Sequence, residues 1–265
     1  MSITVRSMFI EELQAHREQK GLTQEILAQE ANISLSLLKK IEIGNRRPQR
    51  DFALWCDTFF DLPGTFQRLH RLTLLEMFPE WFASRMVYEE AATVITEWEM
   101  RVVPGLLQTR AYAEAVIRND RPFATDAQRT RDIEARIERQ QLLDRDNPPQ
   151  LWVVLAEGPL HQLTGGREVM KSQLDHLIAM ADSPKCVLQV LPFTVTDAPI
   201  PSGPATFFEF RDNPPVAYLE GWGAGWVVDE PKQVADISAR LTMIKGCALD
   251  PGESKSLIEK IRSEL

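Results

Sequence analysis

The chain has 265 residues, 30 Lys+Arg against 38 Asp+Glu, and a formal net charge of −8. That length allows one or two domains with a substantial core, and 44% hydrophobic with 26% charged residues excludes a disordered or fibrous chain. The acidic balance excludes a protein coated throughout by nucleic acid or docked on an anionic membrane, while leaving room for one small basic site.

The first 75 residues read as helical throughout. Met8, Phe9, Leu13 and Leu22 recur at helical spacing, and Gly21 is placed to close the first helix. Thr23 is a good N-cap for a second short helix, Gln24 to Ala31, with Ile26 and Leu27 facing inward. Asn32 and Ile33 make a turn, and Ser34 caps a third helix running to about Ile43. Gly44 and Asn45 stop it, Pro48 prevents its return, and a fourth helix begins near Asp51. The expectation is a bundle of four short helices over residues 1–75.

The character changes after about Met77, so residues 76–265 form a second domain. Val102 to Leu106 reads as a turn, followed by helices over about Gln108 to Arg118 and Asp126 to Leu143. Strand-like segments follow at Leu151 to Glu157, Cys186 to Leu191, Ala205 to Phe210 and Val216 to Glu220. An amphipathic helix, Arg167 to Ala181, separates the first two, and two last helices span about Pro231 to Cys247 and Pro251 to Arg262. The fold class expected is an all-α bundle followed by an α/β domain, a mixed sheet with flanking helices. Gly221 to Trp226 lacks the spacing of a dinucleotide fingerprint and reads as a hairpin or lid loop.

Charge is unevenly distributed. Residues 1–75 hold 10 basic and 9 acidic side chains, whereas residues 76–265 hold 20 and 29. Residues 39–50 contain Lys39, Lys40, Arg46, Arg47 and Arg50 against Glu42 alone. Short helix, tight turn and second helix with a basic end is the pattern of a helix-turn-helix that enters a major groove.

The stretch HREQKGLTQEILAQEANISLSLLKKIEIGNRRP resembles the xenobiotic-response-element (lambda-repressor-like) family of helix-turn-helix domains over about residues 8–75. The resemblance implies that Arg17 pairs with Glu42 and that Gln24 holds a phosphate. It puts base-reading positions at Ser34, Leu35, Ser36 and Lys40, with Lys39 and Arg46 near the DNA backbone; Arg47 belongs to the same basic cluster. Leu35 and Ile43 depart from the family's usual polar residues, and Leu35 either meets a thymine methyl or is buried at a domain contact. Leu38 and Ile41 are core.

RMVYEEAATVITEWEMRVVPGLLQTRAYAEAVI, LWVVLAEGPLHQLTGG, VLQVLPF and GPATFFEF resemble the domain that follows the helix-turn-helix in actinobacterial WhiJ-type and antitoxin-like regulators. This resemblance implies a transcriptional regulator whose second domain answers to a small-molecule effector or a small partner protein. From the residues alone, VPGLLQT is a structural turn, and the arginine-rich helix over 126–146 is a solvated, ion-paired face. Most of Trp98, Trp152, Trp222, Trp226, Phe207, Phe208 and Tyr218 belong to the core.

His161, Asp175, His176 and Cys186 are the residues suited to nucleophile–base chemistry, but no GxSxG or HExxH motif accompanies them. Asp175 and His176 are adjacent on a helix and so point in different directions. No enzyme activity, cofactor or metal is expected. Cys56, Cys186 and Cys247 are odd in number and without a CxxC pair, which fits buried thiols in a reducing compartment. Met1 to Ile10 has no apolar core of a signal peptide, and the apolar run Leu151 to Ala156 is far short of a membrane span. The expected protein is cytoplasmic, binds a double-stranded DNA operator as a homodimer, and does not engage a membrane.

Overall fold

Two short polar side chains set the helix starts near the N-terminus. In the computed structural model, which describes residues 5–75 and 80–265, the Thr23 hydroxyl accepts from Ile26 N and the Ser34 hydroxyl from Leu37 N. Each satisfies one orphan amide of a helix's first turn. The chain divides into two units, Met1–Glu80 and Trp81–Leu265. The change of character expected near Met77, and the start of the Met1 to Ile10 segment, fall outside the described residues.

Five helices are described in the first unit: α1 (Val5–Gln19), α2 (Gln24–Glu30), α3 (Leu35–Glu42), α4 (Arg50–Phe60) and α5 (Thr65–Leu75). The expected bundle of four is therefore corrected. Asp61 in the left-handed region (φ 56°) ends α4, and Asp57 accepts from the backbone N–H groups of Phe66 and Gln67, starting α5 afresh. Phe9, Leu13, Leu27, Leu38, Ile41, Phe52, Phe60 and Phe66 are buried in one core. Ile26, expected inward, is exposed; on a helix as short as α2 the buried positions are Leu27 and Ala28.

The second unit opens with α6 (Glu80–Ala91) and builds a six-stranded sheet. Its strands are β1 (Val94–Glu99), β2 (Gln150–Ala156), β3 (Cys186–Leu191), β4 (Ala205–Glu209), β5 (Val216–Gly221) and β6 (Ala224–Val228). They lie in the order β3-β2-β1-β4-β5-β6, with β1, β2 and β3 parallel and the rest antiparallel. Between β1 and β2 run α7 (Arg110–Asp120) and α8 (Asp126–Arg139); between β2 and β3 run the single turn α9 (Gly158–His161) and α10 (Arg167–Ala181). The chain ends in α11 (Pro231–Cys247) and α12 (Pro251–Glu264).

Alternation along the strands sends side chains to two cores. Ile95, Leu151, Val153, Leu188, Phe208 and Tyr218 join α10 and α12 on one face. Trp98, Val154, Phe207 and Ala217 join α11 on the other. The sheet is mixed and flanked by helices. β1 and β6 add two strands to the four read from sequence, and Gly221 to Trp226 is the β5–β6 hairpin turning at Trp222 and Gly223. Trp98, Phe207, Phe208 and Tyr218 are buried, whereas Trp222 is fully exposed and Trp226 half so.

Charged side chains lock α6 and α8 to the sheet. Glu89 takes both Arg139 Nε and Nη2 at 2.7 Å, and Arg85 Nε at 3.4 Å. Arg85 continues to Glu97 on β1 at 2.8 Å and Glu220 on β5 at 2.5 Å. The α8 face is thus only partly solvated. Arg110–Glu134 and Arg121–Asp132 pair at the surface, while Arg139 is buried. Removing one member of such a network strands the others without a counter-charge. Glu89→Ala is expected to lower stability by about 3–5 kcal/mol, read as a shift in the denaturant midpoint; a shift under about 1 kcal/mol would show the network to be dispensable.

Candidate functional site

The turn between α2 and α3 uses Asn32 in the left-handed region (φ 51°), a conformation that Asn tolerates. This brings the start of α3 beside the end of α2 and leaves one face of α3 to solvent. Ser36, Lys39 and Lys40 are exposed on it, Ser34 is exposed at its N-cap, and Arg46 is exposed just beyond its end. Leu35 is half-buried against the core, and Arg47 is half-buried. Leu38 and Ile41 point inward, while Ile43 stands 66% exposed.

Glu42 fixes this arrangement from inside. It is 4% exposed, and its carboxylate accepts from Arg17 Nε at 2.9 Å, Arg17 Nη2 at 3.4 Å and Gln24 Nε2 at 2.7 Å. Arg17 also donates to Leu22 O at 3.1 Å, and Gln14 Nε2 to Glu42 O at 3.3 Å. One carboxylate therefore ties α1, α2 and α3 together. The Gln24 amide is engaged by Glu42, so a Gln24 contact to phosphate requires this bond to be shared or exchanged.

The candidates for nucleophile–base chemistry in the second unit have separate partners. His161 meets Glu157 at 2.9 Å and stacks on Phe193, Asp175 is held by Arg262 at 2.8 Å, and Cys186 is buried with its thiol pushed up to about 12 by burial. A groove of about 200 Å³ lies between α11 and the sheet. There Lys245 donates to Thr96 Oγ1 at 3.2 Å and lies 4.2 Å over the Trp152 ring. No group of three or more His, Cys, Asp or Glu suited to a metal ion occurs among the described residues.

A cluster that sequence reading missed lies around Pro104–Leu107. Gly105 begins a short 3₁₀ turn, and a Cβ at that position would stand 2.9 Å from Arg139 Nη1 and 3.2 Å from Arg136 Nη1. Gln108, Gln140 and Gln173 brace the turn through its backbone carbonyls and the Thr109 N–H. Arg136 donates to Gln108 Oε1 at 2.8 Å, and burial followed by the neighbouring charge of Arg139 pulls its pKa down to about 10. Glu97 and Glu99 share the sheet face of Ile95. Burial raises Glu99 to about 7, with Glu97 and Glu220 adding repulsion, although Arg101 N and Met100 N both donate to it. The signal was present in the VITEWE segment, where both carboxylates alternate in phase with a core isoleucine.

The N-terminal unit is a helix-turn-helix domain of DNA-binding regulators: the family model described as "Helix-turn-helix domain" matches residues 10–68. A second model, described as "Domain of unknown function (DUF5753)", matches residues 82–260, and the chain belongs to that family. No curated protein and no solved structure matches the chain. Among the described residues, no helix is long and apolar enough to cross a membrane.

A glutamate whose folded pKa exceeds its unfolded value binds more protons in the native state, so it lowers stability as pH rises through that interval. Glu99 places this decline between about 4.5 and about 7. Glu99→Gln is expected to flatten that part of the stability–pH curve and to raise stability above it, measured by urea denaturation across pH. A curve as steep as the wild type's would remove Glu99 as its source.

Proposed function

We propose that this protein is a sequence-specific transcriptional regulator of the xenobiotic-response-element type, reading DNA with α3. The observation that carries the reading is the exposed row Ser34, Ser36, Lys39 and Lys40 on a helix anchored from inside by Glu42. Ser34, Leu35, Ser36 and Lys40 meet base edges, and Lys39, Arg46, Arg47 and Gln24 lie toward phosphates. Polar side chains and the half-buried Leu35 methyls suit base edges and a thymine methyl respectively. One such module offers a small interface, so a homodimer reads two half-sites one helical turn apart.

The second unit receives the signal. A small-molecule effector is supported by the polar cluster around Gly105. An antitoxin-like reading, with a small partner protein on this unit, is supported by the fully exposed Trp222 at the tip of the β5–β6 hairpin. Catalysis has no support in the contacts of His161 and Asp175, which are held by Glu157 and Arg262 respectively, or in the burial of Cys186.

The reading is tested by selecting a binding site from random duplex DNA and titrating it in gel-shift assays. Lys40→Ala is expected to weaken specific binding by about 1–3 kcal/mol and to relax preference at one position. Lys39→Ala is expected to weaken binding evenly across sequences and to reduce the salt slope by about 1. Unchanged affinity and preference for Lys40→Ala would remove α3 as the reader.

A further inference from the structure

Around Gly105 two charged groups each keep one buried atom without a hydrogen-bond partner among the described residues. Among the described residues Arg136 makes no ion pair; its side chain donates to the neutral amide of Gln108, and its Nε is buried without a partner. Glu97 is 4% exposed, gives one oxygen to Arg85, and leaves Oε2 buried without a donor. Arg136 feels the charges of Glu97 and Glu220 but touches neither. A buried Nε donor and a buried Oε2 acceptor thus stand in one cluster, neither satisfying the other. Each unmade bond is a cost to the fold.

Gly105 makes room on the cationic side. Arg139 is clamped by Glu89 and cannot swing aside, so any side chain at 105 would collide with its Nη1. The missing Cβ lets two guanidinium groups lie against the turn. Arg136, Gly105 and Glu220 remain partly exposed, so the cluster reaches solvent on this side.

Charge balance decides what fits. Arg85, Arg136 and Arg139 stand against Glu89, Glu97 and Glu220, and burial keeps Glu99 largely protonated below about 7. A simple anion or cation would upset this balance in a low-dielectric site. A molecule with separated charges and no net charge leaves it intact and partners both orphaned groups. We propose that the second unit binds a small zwitterion of the amino-acid class, its carboxylate on the Arg136 guanidinium and its ammonium on Glu97 Oε2. The planar fork of Arg136 suits two-point recognition of a carboxylate. As an effector site, this rests on the regulator reading above; as a binding site, it is measured directly.

The test is isothermal titration of the full chain at pH 6.0 with each of the twenty common amino acids, and with acetate and methylammonium as half-ligands. At least one amino acid is expected to bind, with both half-ligands at least tenfold weaker. Arg136→Gln is expected to lose at least tenfold of that affinity while its selected DNA site is still shifted in gels. Glu97→Gln, which keeps an oxygen for Arg85, is expected to lose affinity for the amino acid in the same way. Absence of binding by all twenty, equal binding of a half-ligand, or wild-type affinity in both variants overturns the site. Wild-type DNA binding with no amino-acid binding defeats only this inference. Amino-acid binding without any selected DNA site defeats only the regulator reading.

Discussion

A buried carboxylate with its oxygens taken by side chains from neighbouring elements is the constraint on which each unit depends. In the first unit it is Glu42, which holds Arg17 of α1 and Gln24 of α2 from the inner side of α3. Without it, a helix as short as α3 would have little beyond Leu38 and Ile41 to fix its angle, since isolated helices of this length are not stable. In the second unit it is Glu89, which joins Arg139 of α8 to Arg85, and through Arg85 to β1 and β5. Such pairs contribute less net stability than well-packed apolar groups would. What they supply is angle and register.

The net charge of −8 looks unfavourable for a DNA-binding protein until it is divided along the chain. The acidic excess belongs to residues 76–265, and five basic residues against one acidic lie within residues 39–50. On the reading proposed above, phosphate contact is limited to a few side chains at the end of α3, and the acidic remainder opposes non-specific contact. A regulator built this way gains selectivity by being weakly attracted to DNA in general.

Much of the fold was legible because local chemistry and pattern agreed. Thr23 and Ser34 marked helix starts, and the apolar stripe of Arg167 to Ala181 matched α10 over its whole length. The failures have physical causes. β1 was hidden because Glu97 and Glu99 occupy core-facing positions, where a strand pattern calls for apolar residues. β6 was hidden because it is a short edge strand with half its side chains in solvent. The break between α4 and α5 depends on Asp57 capping across the turn, a contact between residues nine and ten apart. The exposed row on α3 follows from helical spacing once the caps are placed. The cluster around Gly105 does not, because it is assembled from α6, β1, α8 and β5, which lie far apart in sequence.

Whether α3 enters the major groove is decided by site-directed cleavage of bound DNA. An iron chelate attached at Ser36→Cys, in a Cys247→Ser background because Cys56 and Cys186 are buried, places the cleaving centre on the exposed face of α3. The account predicts strand cuts confined to the selected site and centred on a major groove in each half-site. Binding that persists with no cuts, or with cuts spread evenly along the duplex, would contradict it.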